Sequence, residues 1–194
     1  NLLRPQDGQP VTVPTQDMIL GSYYLTLDRE EKGSGKIFRD ADEALMAYSD
    51  GVIGIHAPIK IRRFGTFNGE KISRIVDTTV GKIIFNQPIP QDLGFVDRTD
   101  PEHVLDFEIG FTTGKKQLSS IIEKCISIHG FTITDEMLDN IKATGFKYST
   151  RGAITISISD MTVPEKKKVL ISETEKKILE IEKLYRKGFI TDDE

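Results

Sequence analysis

The sequence predicts an α+β fold, with a small mixed domain that contains a β-hairpin, followed by a helical region that ends in one long helix. Three observations support this class. Apolar and polar residues alternate from Val52 to Phe85 around an Asn-Gly turn signal at Asn68. Apolar residues recur at helical spacing after Gly114, and a highly charged segment from Glu165 to Lys187 carries a narrow apolar stripe.

The composition excludes several functional classes. The 194 residues include 26 basic and 30 acidic ones, and the net charge of -4 provides no overall attraction for nucleic acid or an anionic membrane. The single cysteine, Cys125, excludes an internal disulfide framework. No apolar run reaches the length of a membrane span, and no signal peptide opens the chain. We therefore expect a cytoplasmic protein with no membrane partner, and both ends look like those of a fragment.

The first elements are predicted from turn residues and helix caps. Prolines and Gly8 make residues 1–14 an extended, turn-rich entry. A helix is predicted from Thr15, whose hydroxyl can cap free amides. The spacing of three residues, Ile19, Tyr23 and Leu27, places them on one face of this helix. A loop at 33–35 follows.

A second helix is predicted from Asp40 to about Gly51, with Leu45 and Met46 turned inward. Its start also contains an Asp-x-Asp pair that could bind a metal. An Asp cap followed three positions later by Glu43 is a common helix start, however, and explains the same residues.

The hairpin is predicted from Ile59 and Ile61 on one strand and Ile75 on the return strand. A further strand is predicted from Val80 to Phe85. Residues 87–113 carry prolines and glycines with weak periodicity, and we expect the boundary between two halves there.

The second half is predicted to begin with a pair of helices. The first ends at Gly130, and the second runs from a cap at Thr134 to Gly145. The clean alternation from Gly152 to Ile158 then predicts a strand. The apolar stripe of the first helix comprises Leu118, Ile121, Ile122, Cys125 and Ile128.

The final helix, Glu165 to Lys187, has an apolar seam at heptad spacing. Glu173 with Lys177 and Glu182 with Arg186 are favourable pairs four residues apart on its outer face. Such a seam calls for a partner helix, which this chain lacks. The seam comprises Ile171, Thr174, Ile178, Ile181 and Tyr185.

A search for catalytic motifs finds none. The three histidines are far apart and share no metal-ligand spacing, so no zinc site is expected. Cys125 lies on an apolar stripe, which favours a buried thiol over a nucleophile. The Gly-Ser-Gly-Lys run at 33–36 lacks the spacing of a phosphate loop. The absence of catalytic motifs, taken alone, indicates a noncatalytic module.

Several segments together resemble the β′ subunits of bacterial RNA polymerase, the family of its largest catalytic subunits. The match begins with Asn-Leu-Leu-Arg-Pro and continues through Pro-Thr-Gln-Asp to Gly-Ser-Tyr-Tyr. Arg4 and Ser159 depart from the family pattern, which has Ser and Asp there. The matching segments are 1–17, 21–24, 77–82, 145–151, 158–167 and 185–191.

The resemblance implies a position within a large enzyme. Residues 1–86 would be part of the pore region beside the active centre, 87–113 a connecting segment, and 114–194 the funnel around the secondary channel. Nucleoside triphosphates enter by that channel. The helix at 165–187 would be the first arm of the rim helices, where transcript cleavage factors dock. Its expected docking residues are Ile171, Ile178, Ile181, Tyr185 and Arg186.

The resemblance also implies what this chain lacks. The family holds catalytic Mg²⁺ with three aspartates in an Asn-Ala-Asp-Phe-Asp-Gly-Asp run, which is absent here. We expect no metal, cofactor or activity in this piece alone. Partners implied for the full enzyme are the β, α, ω and sigma subunits, DNA, RNA and nucleoside triphosphates, at a nucleoid-associated location in the cytoplasm.

Five residues are expected near the substrate channel. Gln16 matches a family glutamine near its nucleotide end, where an amide could bond a ribose hydroxyl or phosphate, or could instead fix the first helical turn. Asp17 is assigned to helix capping. Thr78, Thr79 and Lys82 could face the channel, and Lys82 replaces a common Arg. For Arg151 both a structural salt bridge and a substrate contact are open.

A different class of function is also consistent with the long helix. The chain could be a free-standing adaptor that recruits another protein through a coiled-coil seam. A start codon and a stop codon directly beside the two ends of this sequence in its gene would favour that reading. The collinear motifs favour the polymerase.

Overall fold

The computed structural model describes residues 3–8 and 10–191, and within them it contains five α-helices and a three-stranded sheet. The predicted α+β class is confirmed. A single 3₁₀ turn, Ile158–Asp160, precedes the last helix. The elements are α1 (Asp17–Thr26), β1 (Ile37–Phe38), α2 (Ala41–Ser49), β2 (Ile59–Phe67), β3 (Glu70–Thr78), α3 (Val80–Asn86), α4 (Lys115–Arg151) and α5 (Lys166–Arg186).

The chain divides into two compact units, Asn1–Ile154 and Thr155–Glu194. The hydrophobic core lies in the first unit. Residues 87–113, expected to separate two halves, contribute the buried side chains of Ile89, Leu93 and Ile109 to that core. The two units therefore divide after Ile154, which is later in the chain than the weak periodicity of residues 87–113 suggested.

The predicted hairpin is confirmed, and its two strands pair in antiparallel fashion from Ile59 opposite Thr78 to Phe67 opposite Glu70. Asn68 and Gly69 form the turn with φ angles of 49° and 84°. Both positive angles suit the twist of a two-residue hairpin, which explains the Asn-Gly signal. The short strand β1, which was not predicted, pairs with β2 in parallel.

Helix α1 is present, and Ile19 of its predicted face packs against the core, but the predicted cap at Thr15 and the burial of Tyr23 are wrong. Gln16 occupies the N-cap position, and no side chain there caps a free amide. Tyr23 is exposed, whereas Ser22, Leu25 and Thr26 are buried. The buried face is composed mainly of small residues because α3 and α4 both pack closely on this helix, so apolar spacing did not reveal it.

The cap of α2 is confirmed, since Asp40 Oδ1 accepts a hydrogen bond from Glu43 N at 2.9 Å. Leu45 packs against the core as predicted. Met46 does not, because 68% of its surface is exposed. Adjacent residues of a helix project about 100° apart, so a helix with one narrow buried face turns Leu45 inward and Met46 outward.

The predicted strand from Val80 to Phe85 is wrong, because these residues form helix α3. All seven residues of α3 are buried, and a short, fully buried apolar run does not distinguish a strand from a helix. The deciding feature is local. Thr79 Oγ1 accepts a hydrogen bond from Lys82 N at 3.1 Å and caps the first turn.

Helix α4 corresponds to the predicted helix pair, with a break at Gly130, where φ is 76°. The predicted cap at Thr134 is wrong, since its hydroxyl donates to Gly130 O at 2.8 Å from within the second arm. That arm continues beyond Gly145 to Arg151. Cys125 is buried, as predicted, whereas Ile128 at the end of the first arm is half-exposed.

The strand predicted at 152–158 is wrong. Residues 154–157 have no regular structure, and no strand of the described chain pairs with them. Ile156 and Ile158 are 73% and 92% exposed. Alternation alone cannot form a strand, because a strand requires a hydrogen-bonded neighbour.

Helix α5 is confirmed within one residue at each end, and it buries none of its residues. The predicted pair of Glu182 with Arg186 lies at 4.0 Å. Every apolar residue of the predicted seam is roughly half-exposed: Ile171, Ile178, Ile181 and Tyr185.

Three glycines let α1 approach its neighbours closely. A Cβ added at Gly21 would overlap the backbone carbonyl of Gly145, and one added at Gly145 would lie 2.7 Å from Met18 O. A Cβ at Gly81 of α3 would overlap the carbonyl of Leu25. Only glycine allows backbones to approach this closely, so these glycines set the spacing of α1, α3 and α4.

Replacing Gly21 with alanine should destabilise the fold. The obstructing atoms are backbone, so overpacking should outweigh the gain in helix propensity and lower the free energy of unfolding by about 2 kcal/mol. Urea denaturation followed by circular dichroism measures the change. Gly110→Ala is the control because nothing lies within 4 Å of an added Cβ there. Equal stability of G21A and the wild type would contradict this packing.

The unburied stripe of α5 predicts weak protection of this helix. A single helix gains little stability without burying its apolar face, so α5 should exchange amide hydrogens rapidly beyond about Thr174 in dilute protein. Raising the concentration should slow exchange if α5 pairs with a neighbouring molecule. Amides of α4 near Ile121, which is fully buried, are the internal reference. A fully protected α5 in a strict monomer would refute the prediction.

Candidate functional site

The segment 78–82 lies inside the fold. Thr78 and Thr79 are 6% and 1% exposed, and Thr79 caps α3. The side chain of Asn86, one turn further along α3, donates to Lys82 O and Ile109 O, both at 2.9 Å. Residues 78–82 therefore anchor α3 in the core, and their side chains mainly contact neighbouring residues of the chain.

Lys82 makes a partly buried ion pair that the sequence did not reveal. Its Nζ lies 2.7 Å from Asp28 Oδ2, and Lys82 is 6% exposed while Asp28 is about half-exposed. Asp28 follows the end of α1, so the pair joins α1 to α3. A buried ammonium requires such a partner because removing it from water is costly.

Gln16 stands at the start of α1 with an exposed side chain. Its backbone adopts φ 47° and ψ -120°, which is strained for any residue with a Cβ. Gln16 O accepts from Leu20 N at 3.0 Å, but no hydrogen bond of the side chain occurs within the described chain. The amide is thus free to bind a ligand.

Gln16 and the Lys82 pair lie at opposite ends of α1. Gln16 precedes the ten-residue helix, and Asp28 follows it. A helix of this length is roughly 15 Å long, so the two predicted sites are separated by about that distance. The structure therefore does not bring them together into one pocket.

Arg151 makes no ion pair with any described residue, so the salt bridge that was one of its two expected roles does not occur within this part of the chain. Its guanidinium lies 5.9 Å from the centre of the Tyr148 ring. Burial raises the pKa of the Tyr148 phenol, and Arg151 opposes that rise through its charge and a hydrogen bond. Both residues line an open cavity of about 300 Å³, with Arg151 on its exposed side.

A buried histidine cluster was missed by the sequence analysis. His56 is 4% exposed, and its Nε2 donates to Tyr24 O at 2.7 Å. Its Nδ1 lies 2.9 Å from Glu31 Oε1. Both ring nitrogens therefore face oxygen acceptors, one on Tyr24 and one on Glu31. Glu31 and Tyr24 are 25 and 32 residues away from His56 in the sequence, so no local sequence pattern indicated these contacts.

A second missed feature is the buried carboxylate of Glu108, which is 1% exposed. It accepts hydrogen bonds from the backbone N–H groups of Gly94, Phe95 and Val96 at 2.6, 3.1 and 3.2 Å. Arg98 contacts its other side at 3.4 Å. These hydrogen bonds hold the loop from 91 to 98 in place. A loop held by one buried carboxylate needs no repeating apolar pattern, which explains the weak periodicity there.

The comparisons with known proteins bear on all of these residues. The family model described as RNA polymerase Rpb1, domain 3, matches residues 1–161. The chain belongs to this family. Rpb1 domain 3 thus includes the whole first unit, with the α1 crossings, the Thr79 cap and Gln16.

Curated relatives of this Rpb1 domain 3 chain are named DNA-directed RNA polymerase subunit beta'. The chain is 58% identical to that of Caldicellulosiruptor saccharolyticus, 59% to that of Clostridium novyi and 56% to that of Acetivibrio thermocellus. Each alignment covers 100% of this chain and 16 or 17% of the relative. The chain spans about a sixth of the length of these relatives.

The described residues form neither a metal-binding group nor a membrane-spanning helix. In residues 3–8 and 10–191, no group of three His, Cys, Asp or Glu side chains could hold a metal ion. Asp40, the first residue of the Asp-x-Asp pair, caps α2. None of the described helices is long and apolar enough to cross a membrane.

The Lys82 pair predicts an asymmetric response to mutation. Asp28→Asn should lower the free energy of unfolding by about 2 kcal/mol, because it leaves a buried ammonium without a counter-ion. Lys82→Met should cost less, since Asp28 remains hydrated. Asp77→Asn is the matched control because its pair with Lys60 is exposed on both sides. Equal losses for D28N and D77N in urea denaturation would contradict this account.

Proposed function

We propose that this chain is part of the β′ subunit of a bacterial DNA-directed RNA polymerase, which synthesises RNA from nucleoside triphosphates on a DNA template. One observation carries the proposal. Relatives with that name are 56 to 59% identical over the whole of this chain. The other subunits, DNA and RNA would be its partners in the cytoplasm, at the nucleoid.

Within that enzyme we assign residues 1–86 to the pore region and 114–194 to the funnel that lines the secondary channel. The exposed apolar seam of α5 supports a role as the first arm of the rim helices. Transcript cleavage factors would dock there on a set of exposed side chains, Ile171, Ile178, Ile181, Tyr185 and Arg186.

The channel residues divide into two groups by burial. Gln16 and Arg151 are exposed and could meet a nucleoside triphosphate. The strained backbone of Gln16 supports a role in binding, because such strain commonly persists at functional positions. Thr78, Thr79 and Lys82 are buried, which supports a positioning role behind the channel wall.

The described residues do not fit the Mg²⁺ ion that nucleotidyl transfer requires, because they form no three-ligand group. We therefore assign the metal to another segment of the β′ subunit, and we expect this chain alone to make no RNA.

A chimeric enzyme tests the proposal. The segment of the Clostridium novyi β′ subunit aligned with this chain is replaced by it, and the subunit is assembled with its partners. We expect RNA synthesis on a primed DNA scaffold. The host subunit with its own segment and the same junctions is the control. Assembly without synthesis, or failure to assemble while the isolated chain self-associates through α5, would instead favour the adaptor reading.

The role of Gln16 is tested in the same assembled enzyme. Loss of one hydrogen bond to substrate should raise the KM for nucleoside triphosphates roughly threefold to tenfold in Gln16→Ala, with kcat little changed. Gln6→Ala, which alters another exposed glutamine, should leave both constants unchanged. If Gln16 only fixes the turn, Q16A would change thermal stability and leave KM unaltered.

A further inference from the structure

An open cavity of about 620 Å³ lies between the tip of the hairpin and the loop that follows Gln91. Its volume is within the usual range for small-molecule sites. Arg63 and Arg98 supply its charge, Thr66 and Asn68 its polar groups, and Phe67 with Leu105 its apolar wall. The proposed polymerase function uses none of these residues.

Arg63 brings a positive charge to this cavity with few protein partners. Its Nη1 donates to Leu105 O at 2.6 Å, and its guanidinium lies 4.1 Å from the centre of the Phe107 ring. A guanidinium has five N–H donors, and no carboxylate of the described chain lies within ion-pair distance of this one. A half-buried cation in this state gains from an anion.

Arg98, in contrast, is held firmly by protein acceptors. Its Nη1 donates to Val104 O at 2.6 Å and Asp106 O at 2.9 Å, and its Nη2 donates to Gln91 O at 3.0 Å. Its carboxylate contact, at 3.4 Å, is with Glu108, which already accepts three backbone hydrogen bonds. Arg98 is therefore a fixed charge beside the cavity.

The charges around Arg63 do not balance. Burial lowers the pKa of Arg63 most, the positive charge of Arg98 lowers it further, and Asp106 raises it least. The Asp106 carboxylate is also engaged by His103 Nδ1 at 2.8 Å. Asp97 is exposed and accepts a hydrogen bond from the Thr99 hydroxyl. Two cations thus line one cavity, while the carboxylates of Asp106 and Glu108 already accept other hydrogen bonds.

We propose that this cavity binds a phosphate-type oxyanion, with Arg63 as its principal ligand. The free donors of a guanidinium match the oxygen spacing of phosphate in a bidentate contact. The side chain of Asn68, at the hairpin turn, makes no hydrogen bond within the described chain and can complete the site. The anion is either free phosphate or the phosphate of a small molecule whose apolar part lies on Phe67 and Leu105.

A titration of the whole chain with inorganic phosphate tests the site. Proton–nitrogen NMR at constant ionic strength should show saturable shifts at the Nε–H of Arg63 and at the amides of Thr66 and Asn68. Arg63→Gln should weaken the affinity about tenfold or more, as expected for a lost charge-assisted hydrogen bond. Arg62→Gln is the matched control, because Arg62 is exposed on the opposite face of the same strand.

A second titration with adenosine monophosphate distinguishes the two sources of the anion. Tighter binding than phosphate, with shifts at Phe67 and Leu105, indicates a phosphorylated small molecule, whereas equal affinity indicates free phosphate. Both results uphold the site. Absence of saturable shifts in the wild-type chain overturns it, as does an equal effect of chloride or an equal loss in R62Q. The wild-type result decides the matter even if R63Q fails to fold.

Discussion

The close approach of α1 to two other helices is the constraint on which the first unit depends. Gly21 meets the backbone of Gly145 on one side, and Leu25 meets Gly81 on the other. No side chain fits between these backbones, so the positions of α3 and α4 follow from α1. Thr26 extends the same arrangement, because its hydroxyl accepts a hydrogen bond from Thr113 N at 2.8 Å, just before α4 begins.

Polar contacts at one end of α1 reinforce this close packing. The pair of Asp28 with Lys82 and the contact of His56 with Tyr24 O both lie near the carboxyl end of the helix. They link that end to α3 and to the segment before β2. The other end carries the strained and exposed Gln16. One end of α1 is therefore held by buried polar contacts, whereas the other presents an amide to solvent.

The long helix α5 owes its formation to local interactions, whereas the first unit depends on burial. It has good helix formers, favourable charge pairs and a regular seam, yet no residue of it is buried. Local propensity is sufficient to define its bounds, and burial contributes nothing within this chain. The alternating segment at 154–158 shows the opposite case, since its pattern indicates a strand but no neighbouring strand pairs with it.

The sequence by itself determined the features that depend on near neighbours. Asp40 and Glu43 define a helix start, Asn68 and Gly69 define a hairpin turn, and the collinear motifs indicate the family. Tertiary structure decided where Lys82 finds its counter-ion and which residues of α1 are buried against α3 and α4. It also decided that Arg63 and Arg98 share a cavity, because such contacts join residues that are distant in sequence and leave no local pattern.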